Sequence, residues 1–340
     1  RYRYWSDLAY VLIVANRRRG AADAFERSVA LAAKQGDVHE QATCTTNLTG
    51  LTGHLGQPAK AWAFAESAYR LQGRLGDVEG VVSAAVEMNL AMYDAVHGHY
   101  DRALQLFESA LARFRASGAA VWQAGCENNF ANAWLALGQT ARAQQVLTPM
   151  PAAAPPLSRA RRLLVEGRIA RLLGRKALPM ARQALELLGE DGDPFMRMLA
   201  ELDECRELDA AEALAQCLRV AQRADRLEHF AIAMKARVLA VQALGRASDG
   251  AAALRLAGEV RRALAECWPA DIHAPEVWWI LYQAHHEADD MLAARALLSE
   301  ARRWIEVTAL PRVPAPFRDS FLHRNPINRA VLTARVDKSP

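Results

Sequence analysis

The chain is expected to be all-α, a right-handed superhelical solenoid of about eight antiparallel helical hairpins. Three observations predict this. Asn47, Asn89 and Asn129 follow one another at steps of 42 and 40 residues, and each stands nine residues ahead of a glycine: Gly56, Gly98 and Gly138. Turn residues in phase with a period near 40 mark stacked helical hairpins. Gly36-Asp37 and Gly76-Asp77 also recur 40 residues apart. Each pairs a glycine suited to a left-handed helix end with an aspartate able to cap the next helix. Finally, 52% of the 340 residues are hydrophobic, with alanine and leucine dominant and β-branched runs scarce, the balance of a helical protein.

Turn signals divide the chain in order. The first hairpin is expected from about Trp5 to Gln35, turning at Gly20, and the second from Asp37 to Leu75, turning at Gly56-Gln57-Pro58, where proline suits a first helical turn. The third covers Asp77 to Ser117 around Gly98, and the fourth Gly118 to Leu147 around Gly138. Residues 1–148 thus form one set of hairpins. The run Pro149 to Pro156 forbids continuous helix, so 149–156 reads as a rigid connector. Residues 157–308 resume with hairpins at Leu157–Leu188 (turn Gly174), Pro194–Arg223, Leu227–Cys267 (turn Gly245) and Ala274–Val307. In the tail, 309–340, Pro311, Pro314 and Pro316 break the last long helix. Asn325-Pro326 then leads into a short helix near Ile327 to Ala334, and the end from Asp337 to Pro340 reads as loose.

Stacking is required by the apolar pattern. Ala103, Leu104, Phe107, Ala110, Leu111 and Phe114 form one stripe at helical spacing. A lone hairpin leaves such stripes wet, whereas neighbours bury them at roughly 25 cal/mol per Å². Five residues after each turn glycine stands Ala61, Ala103 or Ala143. A methyl group there lets the two helices of a hairpin approach closely.

Asn47-Leu48, Asn89-Leu90, Asn129-Phe130, the turn glycines, those alanines and the string Tyr100 to Glu108 together resemble the tetratricopeptide repeat (TPR) family. The resemblance is good over residues 37–147 and weaker elsewhere. Repeats near 40 are longer than the family's usual 34, and that variant resembles the sensor arms of large bacterial signal-transduction regulators. There such an array follows an NTPase module and a DNA-binding module. The segments Phe317 to Leu322 and Asn325 to Arg329 also resemble the ending of such regulators. The resemblance implies a non-catalytic, cytoplasmic binding domain, the partner-sensing part of a transcriptional regulator. A constitutive interaction scaffold without switching is the alternative.

Composition narrows the function. A net charge of +4 is small for this length, and no reading helix or basic tail accompanies it, so no direct nucleic-acid contact is expected. Cys44, Cys126, Cys205, Cys217 and Cys267 are odd in number and widely spaced, as buried thiols of a reducing cytoplasm are. No run approaches 18 apolar residues, so no membrane span is expected, and no signal peptide is evident. The first residue is Arg1, which suggests a piece of a longer protein. There is no phosphate-binding loop, nucleophile elbow or paired-cysteine zinc pattern, so neither cofactor nor catalysis is expected. His285-His286-Glu287 is a superficial metal motif, since adjacent histidines diverge by about 100° on a helix.

The candidate ligand groove starts from Asn47, Asn89 and Asn129. Side-chain amides donate and accept, so they can grip the backbone of an extended peptide without reading its sequence. Equally, each amide can tie its helix to the next, and both roles can coexist. Asn132 lies one turn further along the same face, and Trp134, with Tyr93 as a weaker case, can line a pocket beside the ladder. The remaining tryptophans read as packing residues. In the fifth hairpin Val165 replaces the asparagine, while Arg161, Arg168 and Arg171 form a basic stripe at spacings of seven and three. Guanidinium forks bind carboxylate or phosphate, which suits an acidic peptide or small anionic ligand; a solvated basic face is the other reading. The expected partner is a protein or peptide, with homo-oligomerisation a further option.

Overall fold

The computed structural model describes residues 2–76 and 80–335, and among them every regular element is helical. α1 (Tyr2–Val14) and α2 (Arg18–Gln35) form the first hairpin, α3 (Val38–His54) and α4 (Pro58–Leu75) the second. α5 (Val81–Val96) with α6 (Tyr100–Ala116) and α7 (Ala120–Ala136) with the short α8 (Thr140–Val146) complete the first four. After the proline-rich stretch come α9 (Pro156–Leu172) and α10 (Leu178–Leu188), then α11 (Pro194–Cys205) and α12 (Ala210–Arg226). α13 (Phe230–Arg246) pairs with α14 (Gly250–Ala263), and α15 (Ala274–Glu287) with α16 (Met291–Arg303). A π-helical segment, Trp304–Ala309, prolongs α16, and α17 (Arg318–His323) and α18 (Pro326–Thr333) close the chain.

The expected turns recur with their physical cause. Gly56, Gly98, Gly138 and Gly174 all have φ between 70° and 80°, a left-handed conformation that glycine adopts without a Cβ penalty. Asp37 caps α3 by accepting from the Glu40 amide at 3.0 Å; its counterpart Asp77 lies outside the described residues. Asn325 caps α18 through the amides of Ile327 and Asn328.

Two turns differ from expectation. Gly20 lies inside α2 and Gly245 inside α13. The chain instead reverses at Asn16 (φ 56°) and Ser248 (φ 58°). These non-glycine residues accept the left-handed conformation at about 1–2 kcal/mol each, so the glycines nearby are misleading. α17 is absent from the sequence reading, because the three prolines before it obscure its short helical turn.

One core cluster runs from Ala61 to Val331 and so spans both sides of the connector. α13 is buried on every side, from Ala231 to Leu244, as a helix apolar all round must be. It packs against α3, α11, α12, α14 and α15. Its contact with α3 is not a neighbour contact, and others like it close the array on itself. The Trp268 amide donates to Gly56 O at 2.7 Å, Gly98 abuts Ala309, and Asn325 Nδ2 donates to Ala136 O at 2.9 Å. The turns of the second, third and fourth hairpins thus rest on three successive segments of the C-terminal part.

Candidate functional site

Three helices present a common face. On α3 it carries Thr43, Asn47, Gly50 and His54; on α5 Val82, Ala85, Asn89, Met92 and Val96; on α7 Trp122, Gly125, Asn129, Asn132 and Ala136. Alternating steps of three and four keep each set on one side of its helix, and all but Ala85 are half-buried or exposed. Four residues before each asparagine stands Thr43, Ala85 or Gly125, so no bulky side chain flanks the row on that side. A Cβ added at Gly50 or Gly125 would meet nothing within 4 Å, so the face is open at both positions.

The four amides divide into two kinds. Asn47 Nδ2 donates to the Tyr10 hydroxyl on α1 at 2.9 Å, and Asn132 Oδ1 accepts from Arg168 on α9 at 3.1 Å. These two tie neighbouring hairpins together. Asn89 and Asn129, both half-buried, make no side-chain hydrogen bond among the described residues. Their donors and acceptors are available.

The arginine stripe of α9 is arranged differently from expectation. Val165, at the ladder position, is buried in the core. Arg168 grips the Asp271 carboxylate with two guanidinium nitrogens and lies 3.5 Å from Asp203. Arg171 donates to Glu207 at 2.8 Å. Only Arg161 of the three is exposed and without an ion pair among the described residues. The carboxylates that these two guanidinium forks were expected to await are therefore supplied by the chain itself. Asp271 belongs to the loop between α14 and α15, and the buried Lys235 amine also donates to it at 3.3 Å. Burial alone would raise the Asp271 carboxyl, but Arg168 and Lys235 outweigh it and hold the group down at about 2.

Sequence reasoning missed Arg162, one residue from the expected register. Its Nε donates to Asn128 at 2.7 Å and its Nη2 lies 2.7 Å from Glu127. The available signal was Glu127-Asn128 beside the ladder residue, a polar pair in the phase of the apolar stripe. Trp134 is 4% exposed and packs edge-on against Phe317 of the tail at 5.0 Å, so it belongs to the core rather than to a pocket wall. Tyr93 is likewise buried, donating to Thr49 O at 3.1 Å. Trp122 departs from the packing role expected of it: it is 47% exposed and stacks over Phe114. His285 Nδ1 lies 2.8 Å from Asp290, next to its own helix turn.

The fold and this face define an all-helical hairpin array with a row of side-chain amides on one flank. Residues 97–166 match the family described as tetratricopeptide repeat, a repeat that generally mediates protein–protein interaction. No curated protein matches the chain. Among solved structures, the crystal structure of the P58(IPK) TPR domain is similar, with 11% identity over 98% of this chain and 99% of that one at a TM-score of 0.28. No helix among the described residues is long and apolar enough to cross a membrane.

Proposed function

We propose that this chain is a non-catalytic binding array that holds an extended peptide segment of a partner protein along the face of α3, α5 and α7. One observation carries the reading: Asn89 and Asn129 sit in the same register of adjacent hairpins with amides that bond to nothing among the described residues. An amide can satisfy one peptide N–H and one C=O at once, so two in register can hold an extended backbone with little regard to its side chains. Small neighbours, Gly50, Ala85 and Gly125, leave room for a backbone to approach. Arg161 adds one unpaired positive charge next to this face and favours an acidic residue in the bound segment.

The finer reading, a sensory arm of a bacterial transcriptional regulator, draws its support from the tail. The segment that resembles regulator endings is folded onto the turn at Gly138, where Ser320 Oγ donates to Leu137 O at 2.8 Å. A panel of synthetic extended peptides, probed with the parent and with Asn89→Ala/Asn129→Ala, tests the binding face. The parent should bind several unrelated peptides, and the double variant should lose about tenfold or more in affinity at unchanged melting temperature. Equal binding by both proteins would remove the ladder from the site.

A further inference from the structure

We propose that the closure between the first two hairpins and hairpins six and seven is a proton-operated clasp, shut at neutral pH and opened when His54 and His229 become charged. The inference shares His54 with the far end of the α3 face but is carried by different contacts, those of its ring with Phe195 and His229. His54, at the end of α3, meets the His229 ring edge-on at 4.9 Å and the Phe195 ring at 4.5 Å. His229 is the residue before α13 and is 2% exposed, and its Nδ1 has no hydrogen-bond partner. Around this aromatic knot, Arg18 donates to Leu227 O, the Arg19 amide donates to Glu228 at 2.8 Å, and the Arg19 guanidinium lies 4.4 Å over the Phe230 ring.

The charges facing the two imidazoles are mostly of their own sign. Arg18 from the start of α2 and Arg161 from α9 both act on His54, and Asp193 at the head of α11 is the opposing carboxylate. His229 faces His54 and Arg18; Glu228 beside it is engaged by the Arg19 amide. Burial first, then Arg18 with Arg161, holds His54 down to about 4. Burial, then His54 and Arg18, holds His229 down to about 3. Charging both rings would place two cations side by side, His229 buried and His54 half-buried, with Asp193 the one carboxylate acting on His54.

The direction follows from linkage. Both groups are depressed when the clasp is shut and return to about 6.5 when it opens into water. Closure is therefore fully supported above about pH 6.5 and loses support as the pH falls towards 4. Near pH 5 each histidine shifts the open-to-shut ratio by about twentyfold relative to neutral pH. Each hairpin keeps its stacking neighbours, so the seam can part without loss of helix.

Small-angle scattering and far-UV circular dichroism on the whole chain test this, comparing neutral pH with about pH 5. The expected result is a larger radius of gyration at the lower pH with helix content unchanged, and no such expansion in His54→Phe/His229→Phe. No expansion of the parent, or equal expansion of the double variant, overturns the proposal. If the double variant fails to fold, Arg161→Gln gives the second reading. It removes an exposed like charge and should move the expansion to lower pH; an unmoved midpoint overturns the clasp.

Discussion

Arg162 on α9 and Glu127 on α7 face each other at 2.7 Å with side chains 6% and 1% exposed, tying the helix after the proline-rich connector to the long helix of the hairpin before it. Thr148, the residue before the connector, donates to the same carboxylate through its hydroxyl at 2.9 Å and its amide at 3.2 Å. The connector is thus anchored to a buried acid.

Glu127→Ala should destabilise the protein by about 3–5 kcal/mol in urea unfolding, because it strands Arg162 out of water without its partner. The pH dependence has a definite sign. Burial raises the Glu127 carboxyl, but hydrogen bonds from Gln123, Thr148 and Arg162 outweigh it and lower it overall. Its contribution is then complete above about pH 4.5 and fades as the pH falls below that. A variant as stable as the parent at neutral pH would refute this account of the connector.

Asp271→Asn should cost a similar amount, about 3–5 kcal/mol, since Lys235 and Arg168 both lean on that carboxylate. With the group held down to about 2 from an ordinary 3.8, the parent's stability from this cluster persists above about pH 4 and is lost between there and pH 2. Thermal melts of parent and variant should converge over that interval. Parallel curves down to the acid limit would contradict the assignment.

Gly138→Ala and Gly118→Ala make a controlled pair. Both glycines are left-handed, with φ of 70° and 65°, so either alanine costs about 1–2 kcal/mol in backbone strain. At Gly118 the new methyl meets nothing, whereas at Gly138 it would collide with Ser320 O and come within 2.9 Å of the Asn325 amide. Gly138→Ala should therefore also loosen the tail, seen as faster proteolysis at residues 313–334. Equal proteolysis in the two variants would mean the tail is not seated on that turn.

Ala103→Leu tests the hairpin seam. Ala103 is 0% exposed, as are Ala61 and Ala143 at the same register. The larger side chain should lower stability by about 1–3 kcal/mol, readable as a drop in melting temperature. No drop would show slack in the seam between α5 and α6.

The helical architecture was legible because its signals are local. The step from Asn47 to Gly56, or the Gly36-Asp37 cap, needs only neighbouring residues to be read. Gly20 and Gly245 misled because Asn16 and Ser248 take the left-handed positions, which glycine usually but not necessarily fills. At the site, Asn47, Asn89, Asn129 and Asn132 were placed on one face by spacing alone. The partners of Arg168 could not be: Asp271 lies 103 residues away, and nothing in either local sequence links them. Arg162 was missed for a smaller reason, since a shift of one residue moves a helical side chain by about 100°.

Arg18 and Leu227 touch although 209 residues separate them. During synthesis at about 5–20 residues per second, the first hairpins leave the ribosome roughly 10–40 s before their docking surface exists. For that interval the nascent chain is an unfinished coil whose loose end offers Phe195's and Phe230's future neighbours to water. Once the late helices arrive, the first hairpins gain the second surface that covers them.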